Sequence, residues 1–302
     1  MPQYITLKNV ALGYEPVGFV SERIFPLITV EGTPLEVKKF GKEMFKQYMS
    51  RRAMFAASNI VRTSRPEYLY VRIEPRDQVR MFDKEHEPTN EQPDKTQMTK
   101  EAKTGVYLDV EIDNASRLFN INNYPTGNKI TLSGTDQFSD YTNSEPIQVV
   151  DEGMQAVSKK IGKKPNCMLL PEDVFNVIKW HPQLCMKSLT GQETAATIDY
   201  LKEKFSIERI EIASSLKLNE TSGDFEWIFS KHIELMYVNP NPNPSVREMS
   251  FGYRLQEKGY PYVDDEIEGL DKTKVTAVRY NEKFEDVILA AEAAYFIKDA
   301  IA

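Results

Sequence analysis

Cysteine and histidine are scarce in this sequence, which contains two cysteines and three histidines in 302 residues. Cys167 and Cys185 match no CxxC or zinc-finger spacing, so a disulfide framework is not expected and a reducing compartment fits. His86, His181 and His232 stand far apart, and none has a second histidine or cysteine at ligand spacing. The sequence therefore predicts no metal site and no cofactor.

Long apolar runs and glycine-rich motifs are also missing. The longest apolar stretch, residues 287–297, is interrupted by Glu292 and is shorter than the ~18 residues needed to cross a bilayer. The first ten residues lack the apolar core of a signal peptide, so we expect a soluble protein made in the cytoplasm, without membrane contact. No GxGxxG, GxxxxGK or GxSxG motif occurs, so neither a nucleotide-binding loop nor an α/β-hydrolase nucleophile is indicated.

Two acidic runs are the remaining candidates for chemistry. Residues 109–113 begin like a calcium-binding loop, but Asn114 and Asn120 stand where such a loop needs glycine and glutamate. The acidic residues between Asp264 and Glu268 could supply a carboxylate pair, although a solvated loop explains them more simply. We predict that the protein is not an enzyme, and an unrecognised site near 264–268 remains an alternative.

What is present is an ordinary globular composition with an acidic balance. Hydrophobic residues make up 41% and charged residues 27% of the chain, so wholesale disorder is not expected. Lys+Arg 38 against Asp+Glu 45 gives a net charge of −7, which argues against a dedicated nucleic-acid-binding domain. At roughly 150 residues per domain, the length predicts two domains or one large one.

The first quarter of the chain predicts two extended features. Residues 1–33 combine short apolar clusters with prolines and show no convincing helical period, so they predict an extended arm. Residues 35–40 and 68–73 alternate apolar and polar positions and predict an antiparallel strand pair. The basic, aromatic and methionine side chains between them are too many for a two-stranded ribbon to bury.

We therefore predict that this loop contacts a neighbouring subunit. A strand pair folded back on its own domain is the alternative, and nucleic-acid contact ranks below both because apolar residues dilute the basic ones. The candidate contact residues are Lys38, Phe40, Phe45, Tyr48, Arg51, Arg52 and Phe55.

Three helices are predicted in the middle of the chain. The first covers about residues 93–119, with Leu108, Ile112, Ala115 and Phe119 on its inner face. The second follows an N-cap at Ser144 and ends at Gly162, with an inner face of Ile147, Val150, Met154, Val157 and Ile161. The third covers about residues 194–205, with Ile198, Leu201 and Phe205 inward.

Strands alternate with these helices and complete the chain. Residues 167–170 read as a buried strand and 171–180 as a short helix, so residues 145–238 predict a compact α/β unit. Further strands are expected at 250–256 and 274–280. Residues 285–297 remain ambiguous, because the alanines at 290–294 favour helix while their flanks favour strand.

Several local segments are distinctive in this order. They are residues 132–140 (LSGTDQFSD) running into 144–147 (SEPI), 164–166 (KPN) leading into 168–175 (MLLPEDVF), His181-Pro182, 205–210 (FSIERI) and the closing 287–302. Together with an apolar arm, a long aromatic hairpin, a long helix and an α/β unit, they cover nearly the whole chain. The chain resembles the major capsid proteins of tailed bacteriophages, which have the Hong Kong 97-like fold.

The resemblance implies an α+β fold divided into four parts. Residues 1–33 would be the N-terminal arm, and 34–75 the extended loop that reaches a neighbouring subunit. Residues 76–144 with 266–302 would form the peripheral domain, with a spine helix and long strands that make 273–300 mostly strand. Residues 145–265 would form the axial domain near the five- and six-fold axes.

The function implied by the resemblance is structural. Copies of the chain would assemble as pentamers and hexamers into an icosahedral virion shell around double-stranded DNA, in the cytoplasm of a bacterial host. The implied partners are a separate scaffolding protein, a portal, decoration proteins, and packaged DNA touched without sequence readout. The alternatives are an encapsulin-like nanocompartment shell, another virion part such as a tail-tube or connector subunit, and an enzyme.

Overall fold

The fold is described here from a computed structural model of the chain. It describes residues 2–32, 35–38, 47, 50–52, 54, 57–60, 67–84, 94–187, 193–242, 249–265, 267 and 274–302, and the side chains of these residues apart from 2–6 and 38.

Helices and strands of the described residues are numbered in chain order. The helices are α1 (Pro2–Gly13), α2 (Ser21–Ile24), α3 (Lys95–Leu118), α4 (Pro146–Ile161), α5 (Glu172–Ile178) and α6 (Ile198–Phe205). The strands are β1 (Leu27–Val30), β2 (Leu35–Lys38), β3 (Tyr68–Val71), β4 (Pro75–Asp83), β5 (Lys129–Thr131), β6 (Cys167–Pro171), β7 (Met186–Lys187), β8 (Glu193–Thr194), β9 (Arg209–Ala213), β10 (Leu216–Leu218), β11 (Phe225–Trp227), β12 (Ile233–Met236), β13 (Gly252–Glu257), β14 (Tyr262–Asp264), β15 (Val275–Ile288) and β16 (Ala294–Lys298). None of the described helices is long and apolar enough to cross a membrane.

The 14-residue strand β15 organises the first sheet, which we call the long sheet. Antiparallel β4 pairs with it from Val275 to Lys283, while β14 and β13 share its other edge, and β1 adds to β13 in parallel. The spine helix α3 packs across β15 and β4. The long sheet and α3 together therefore form an elongated frame to which the N-terminal segment and the β2–β3 hairpin attach.

The second sheet, which we call the central sheet, has the strand order β5-β16-β12-β6-β9. Its inner strands β6 and β12 are buried at every position, as expected for strands covered on both faces. Helix α4 packs on β16 and β12, and α5 packs on β6 and β9. The buried strand predicted at 167–170 and the short helix after it are therefore present, but β5 and β16, which lie outside the predicted unit at 145–238, supply two of the five strands of this sheet.

The N-terminal segment is helical, so the expectation of an extended arm is wrong for residues 2–13 and 21–24. Leu7 and Ala11, four residues apart, bury one face of α1 in a cluster shared with α3, β14 and β15. The Lys103 ammonium of α3 donates to the carbonyls of Ala11 (2.9 Å) and Tyr14 (2.6 Å) at the end of α1. A residue about ninety positions later therefore supplies hydrogen bonds to carbonyls at the end of this helix, in addition to the packing of its buried face.

The spine helix is confirmed in extent, but its inner face differs from the predicted one. Ile112 is exposed, Leu108 and Phe119 are half-buried, and only Ala115 of the four predicted positions is buried. The buried stripe is Met98, Thr99, Ala102, Lys103, Val106, Tyr107, Val110, Glu111, Asn114, Ala115 and Leu118. Several of its members are polar and have partners on other elements, so hydrophobic spacing selected the wrong stripe.

Two helix starts also differ from expectation. Glu145 occupies the N-cap position of α4, while Ser144 donates its hydroxyl to the carbonyl of Asp140 at 2.7 Å. The end of α4 is as predicted, because Gly162 adopts a left-handed conformation with φ 68°. Helix α6 begins only at Ile198, whose side chain lies in the exposed first turn, and Thr197 caps it through Tyr200 N.

Residues 285–297, for which the sequence left helix and strand open, form mainly strand. β15 continues to Ile288, a single 3-10 turn spans Ala291–Ala293, and β16 follows directly. The small alanine side chains of this turn allow α4 to pack closely against it. Ala293 and Ala294 are fully buried.

Candidate assembly surfaces

The hairpin formed by β2 and β3 is fastened to the long sheet at its base. The strands pair from Leu35 opposite Val71 to Lys38 opposite Tyr68, which confirms the predicted antiparallel pair. Val71 is buried in a small cluster with Tyr253 and Val287 of the long sheet, and further apolar side chains of both hairpin strands pack against it. The loop between β2 and β3 therefore starts from a base that is packed on the long sheet.

Several other large apolar or aromatic side chains of the β2–β3 segment are exposed. Met54 is 88% exposed, Ile60 is 85% exposed and Tyr70 is 72% exposed. Burying a side chain of this size is worth about 1.5–3 kcal/mol, so this surface forgoes a substantial stabilisation within one chain. Two hydrogen bonds of the described residues here are local, from the Arg52 guanidinium to the Ser58 hydroxyl and from the Asn59 side-chain amide to the Arg51 carbonyl.

The candidate contact residues of this loop divide into two groups. Arg51 and Arg52 are exposed, as a contact with another molecule requires. The backbone of Lys38 lies in β2 opposite Tyr68. Phe40, Phe45, Tyr48 and Phe55 lie outside the described residues, as does the Lys38 side chain, so their role stays a prediction.

An open groove of about 450 Å³ lies beside the hairpin root. Leu69 and Val71 of β3 form one wall, and Val287 and Ile288 of β15 form another. The Arg117 guanidinium spans its end, paired with Glu285 at 2.8 Å. Five of the ten residues that line the groove are polar or charged, so its surface is mixed in character.

A buried polar network joins the N-terminal segment to the spine helix. Glu111 Oε1 of α3 accepts hydrogen bonds from the backbone N–H of Val20 (2.6 Å) and Ser21 (2.8 Å) at the start of α2. Burial raises the pKa of the Glu111 carboxyl to about 7, against the lowering effect of these hydrogen bonds. The segment that follows α1 is thus held by a carboxylate whose charge is costly in its surroundings.

The same network continues into the long sheet. Arg254 of β13 forms a two-pronged ion pair with Asp286 of β15, with N–O distances of 2.7 and 2.8 Å. Asn114 of α3 donates to the same carboxylate at 2.7 Å. The Tyr280 hydroxyl donates to Glu282, whose pKa is raised by burial, and the Tyr107 hydroxyl lies between Glu22 (2.7 Å) and Glu282 (3.0 Å). These groups link three elements, and hydrophobic spacing gave no signal for them.

A second buried carboxyl lies between the central sheet and the end of the spine helix. Glu234 of β12 is fully buried, and its Oε1 lies 2.5 Å from the Tyr124 hydroxyl, which also lies 2.7 Å from the carbonyl of Leu118. Burial raises the pKa of Glu234 to about 8. Tyr124 has one proton to donate, so a protonated Glu234 completes the chain of donors from Glu234 to Tyr124 to Leu118.

The described residues of the two acidic runs take part in contacts that belong to the fold. Asp265 pairs with the Lys95 ammonium at 2.6 Å, while Glu266 and Glu268 lie outside the described residues. Within the described ranges no group of three or more histidine, cysteine, aspartate or glutamate residues is placed to hold a metal ion. The run 109–113 lies within helix α3 rather than in a loop.

The histidines and cysteines of the described chain are likewise part of the fold. His181 Nε2 lies 3.1 Å from the Ser144 hydroxyl, and His232 Nδ1 accepts a hydrogen bond from Asp299 N. Burial lowers the pKa of both imidazoles. Cys167 and Cys185 are free and buried, and burial raises the pKa of the Cys167 thiol to about 11, which makes it a poor nucleophile.

Comparison with known proteins gives a relative that matches this chain over nearly its whole length. The major capsid protein of Burkholderia phage BcepMu is 31% identical over 294 residues, which cover 96% of this chain and 94% of that protein. No protein-family model matches the sequence.

Solved structures share the fold over the whole chain. A phage-related protein from Bordetella bronchiseptica RB50 superposes with a TM-score of 0.79 at 24% identity, covering 98% of this chain and 97% of that one. A virus-like particle from Pyrococcus furiosus gives a TM-score of 0.56 at 11% identity, with 97% of each chain covered. The SrpI encapsulin of Synechococcus elongatus PCC 7942 gives 0.51 at 13% identity, covering 99% and 96%.

Proposed function

Because this chain belongs to the family of phage major capsid proteins, we propose that its copies assemble as pentamers and hexamers into an icosahedral head shell around double-stranded DNA. Its role is structural, its fold is the Hong Kong 97-like capsid fold, and its place is the virion capsid. The observation that carries the proposal is the 31% identity to a major capsid protein over 96% of the chain.

The β2–β3 excursion is the proposed contact between neighbouring subunits. Support comes from the exposed Met54 and Ile60, together with the exposed guanidinium groups of Arg51 and Arg52. Large apolar side chains exposed on a rooted hairpin are stabilised only when another surface covers them. We propose the same role for Lys38, Phe40, Phe45, Tyr48 and Phe55.

The test is a pair of matched variants of the described apolar residues. Met54→Asp with Ile60→Asp puts charges on the proposed contact, and shell yield by electron microscopy and sedimentation should fall at least about tenfold, the equivalent of ~1.4 kcal/mol. Met54→Leu with Ile60→Val keeps the surface apolar and should assemble like the parent. Both pairs should keep the parent Tm as free subunits, since exposed side chains contribute little to the fold. Normal shells from the aspartate pair would remove this loop from the lattice contacts.

Particle content distinguishes the head shell from the nanocompartment. Particles purified from phage-producing cells should contain double-stranded DNA that resists nuclease until the shell is opened. A packaged enzyme in place of DNA would establish the compartment, and rings or tubes without closed shells would indicate a different virion part.

The division of the chain into an arm (1–33), a loop (34–75), a peripheral domain (76–144 with 266–302) and an axial domain (145–265) remains our proposal. Strand pairing supports a refinement of it. β13 and β14 pair with β15 of the long sheet, whereas β5 and β16 belong to the central sheet with β6, β9 and β12. We therefore assign 252–264 to the peripheral domain, and 129–131 with 294–298 to the axial domain.

Assembly partners are proposed from the family relationship. They are a separate scaffolding protein, a portal and decoration proteins, with assembly in the cytoplasm of the bacterial host. The net charge of −7 per subunit supports weak, sequence-independent contact with packaged DNA, because tight binding would need a strongly basic inner face.

A further inference from the structure

A second exposed apolar surface lies on the short antiparallel ribbon formed by β10 and β11. The register places Leu216 opposite Trp227 and Leu218 opposite Phe225, so the four side chains share one face, which we call the ribbon face. In chain order from Leu216, their exposed fractions are 42, 55, 74 and 36%. The described part of the chain leaves this face largely uncovered.

The ribbon holds its shape through its own hydrogen bonds. Asn219 N donates to the Asp224 carbonyl at 2.9 Å, and Asn219 Oδ1 accepts from the backbone N–H groups of Thr221 and Ser222. Within the described residues, β10 and β11 pair only with each other. The opposite face carries Lys217 and Glu226, an alternation typical of a strand pair with one wet and one covered face.

A third apolar surface, the Trp180 patch, consists of Tyr141, Trp180 and Ile198. Trp180 follows the end of α5 and is 52% exposed. Tyr141 donates its hydroxyl to the carbonyl of Val177 in α5, and Ala196 N donates to the carbonyl of Lys179, which brings the start of α6 beside it. All three side chains are at least one-third exposed.

The ribbon and the Trp180 patch lie at opposite ends of α5. The Asp173 carboxylate, in the first turn of α5, accepts hydrogen bonds from the Ser230 hydroxyl (2.7 Å) and Lys231 N (3.0 Å), which closely follow β11. Trp180 comes after the last turn of this seven-residue helix, which is about 10 Å long. The two surfaces are therefore separate, and each copy presents both.

The size of the ribbon face indicates what can cover it. Phe225 and Trp227 together expose on the order of 240 Å², and the two leucines bring the face to about 400 Å². A stable two-chain interface buries about 800 Å² on each partner. The ribbon face is too small to hold a free dimer, and it suits a contact that forms among copies already held together elsewhere, as in a shell.

We propose that the ribbon face of one copy packs against the Trp180 patch of a neighbouring copy within each pentamer or hexamer. The proposal rests on the shell function proposed above. Two different patches on every copy make a head-to-tail contact, which forms a ring when the rotation between copies closes, whereas contact between two ribbon faces would give a two-fold pair.

One set of charges beside the two surfaces is complementary. The ribbon turn carries the carboxylates of Glu220 and Asp224. Beside the Trp180 patch, the Lys179 ammonium donates to the neutral side-chain amide of Asn176 at 2.6 Å, a bond that leaves its positive charge uncancelled. The acidic turn of one copy and this lysine of the next would therefore attract each other at the rim of the contact.

Cysteine cross-linking in assembled shells tests the contact. In the full chain carrying Phe225→Cys and Trp180→Cys, mild oxidation of the shells should give a denaturing-gel ladder ending at five and six chains. The two single variants are the controls for the double variant, and each should run as a monomer on the gel. The native Cys167 and Cys185 are buried and should not contribute.

Each result of this experiment has one meaning. A dimer from Phe225→Cys alone would show ribbon-to-ribbon packing and overturn the proposal. Intact shells of the double variant without a ladder would also overturn it, while leaving the shell function standing. Failure of the parent chain to form shells would instead contradict the proposed function. As a second measurement, Phe225→Ser should lower shell yield at least about tenfold, whereas Lys217→Ser on the opposite face should stay within twofold of the parent.

Discussion

The carboxyl of Glu234 gives this fold a stability that declines as the pH rises. Its pKa is about 8 in the folded chain and about 4.5 in the unfolded chain, because burial disfavours the charged form. Between these values the folded state holds a proton that the unfolded state has released. The contribution of Glu234 is therefore complete below about pH 4.5, and it is lost as the pH rises toward about 8.

The magnitude follows from the two pKa values. Each pH unit in this window should cost about 1.4 kcal/mol of unfolding free energy, with a ceiling of about 5 kcal/mol across the window. For a chain of this length, that slope corresponds to about 2–3 °C of Tm per pH unit.

Glu234→Gln removes the titration while keeping the shape of the side chain. The amide can donate to Tyr124, as the protonated acid does, but its second N–H gains no evident partner, so the variant should be less stable at pH 5 by about 1 kcal/mol. Above pH 7 it should be the more stable chain, and the two Tm curves should cross. The exposed Glu226→Gln is the matched control and should follow the parent at every pH.

Tm values of the purified, unassembled subunit between pH 5 and 9 decide the matter. Other buried carboxyls, such as Glu111, titrate equally in parent and variant, so the difference between the two curves reports Glu234. Parallel curves for parent and Glu234→Gln would refute the reasoning, since they would show that Glu234 binds its proton alike in both states.

Two further predictions concern the long sheet. Arg254→Met should lower the unfolding free energy by about 3–5 kcal/mol in urea titrations, because it leaves the buried Asp286 carboxylate without its cation. Adding Asp286→Asn to this variant should recover part of the lost stability. No recovery would show that the packing of the Arg254 side chain dominates the loss. Gly252→Ala should cost about 1–3 kcal/mol in the same assay, because a Cβ there would meet the Val287 carbonyl and the Phe25 ring at 2.6 Å. Gly13→Ala, with nothing within 4 Å of the added Cβ, is the control and should lose no stability.

The spacing of apolar residues correctly predicted the elements whose buried faces consist of apolar side chains. Helix α4 shows this, because Val150, Met154, Val157 and Ile161 are buried as their spacing predicts and Gly162 ends the helix. Strand β6 is likewise buried throughout. In these elements, local propensity and tertiary packing favour the same structure.

The same reasoning failed where polar groups are buried. The inner face of α3 includes Lys103, Glu111 and Asn114, and each has a hydrogen-bond partner far away in the chain. A prediction from the spacing of apolar residues assigns such polar positions to the solvent-exposed face of the helix. Helix α1 was missed for a related reason, since its end is capped by Lys103 rather than by a residue next to it.

The candidate surfaces show the same division. The excess of apolar side chains between β2 and β3 was evident from the sequence, because a two-stranded ribbon cannot bury them. The ribbon face and the Trp180 patch were not predicted, because strand pairing and the two ends of α5 place distant residues together.

The sequence by itself determined that this chain lacks the motifs of the common enzymes, carries an aromatic hairpin and has the order of elements found in phage capsid proteins. Those properties depend on composition and on neighbours along the chain. Only the tertiary structure decided which polar groups are buried, which strands share a sheet and which apolar faces remain uncovered. The physical reason is that burial and hydrogen-bond satisfaction depend on partners brought together by folding, often a hundred or more residues apart.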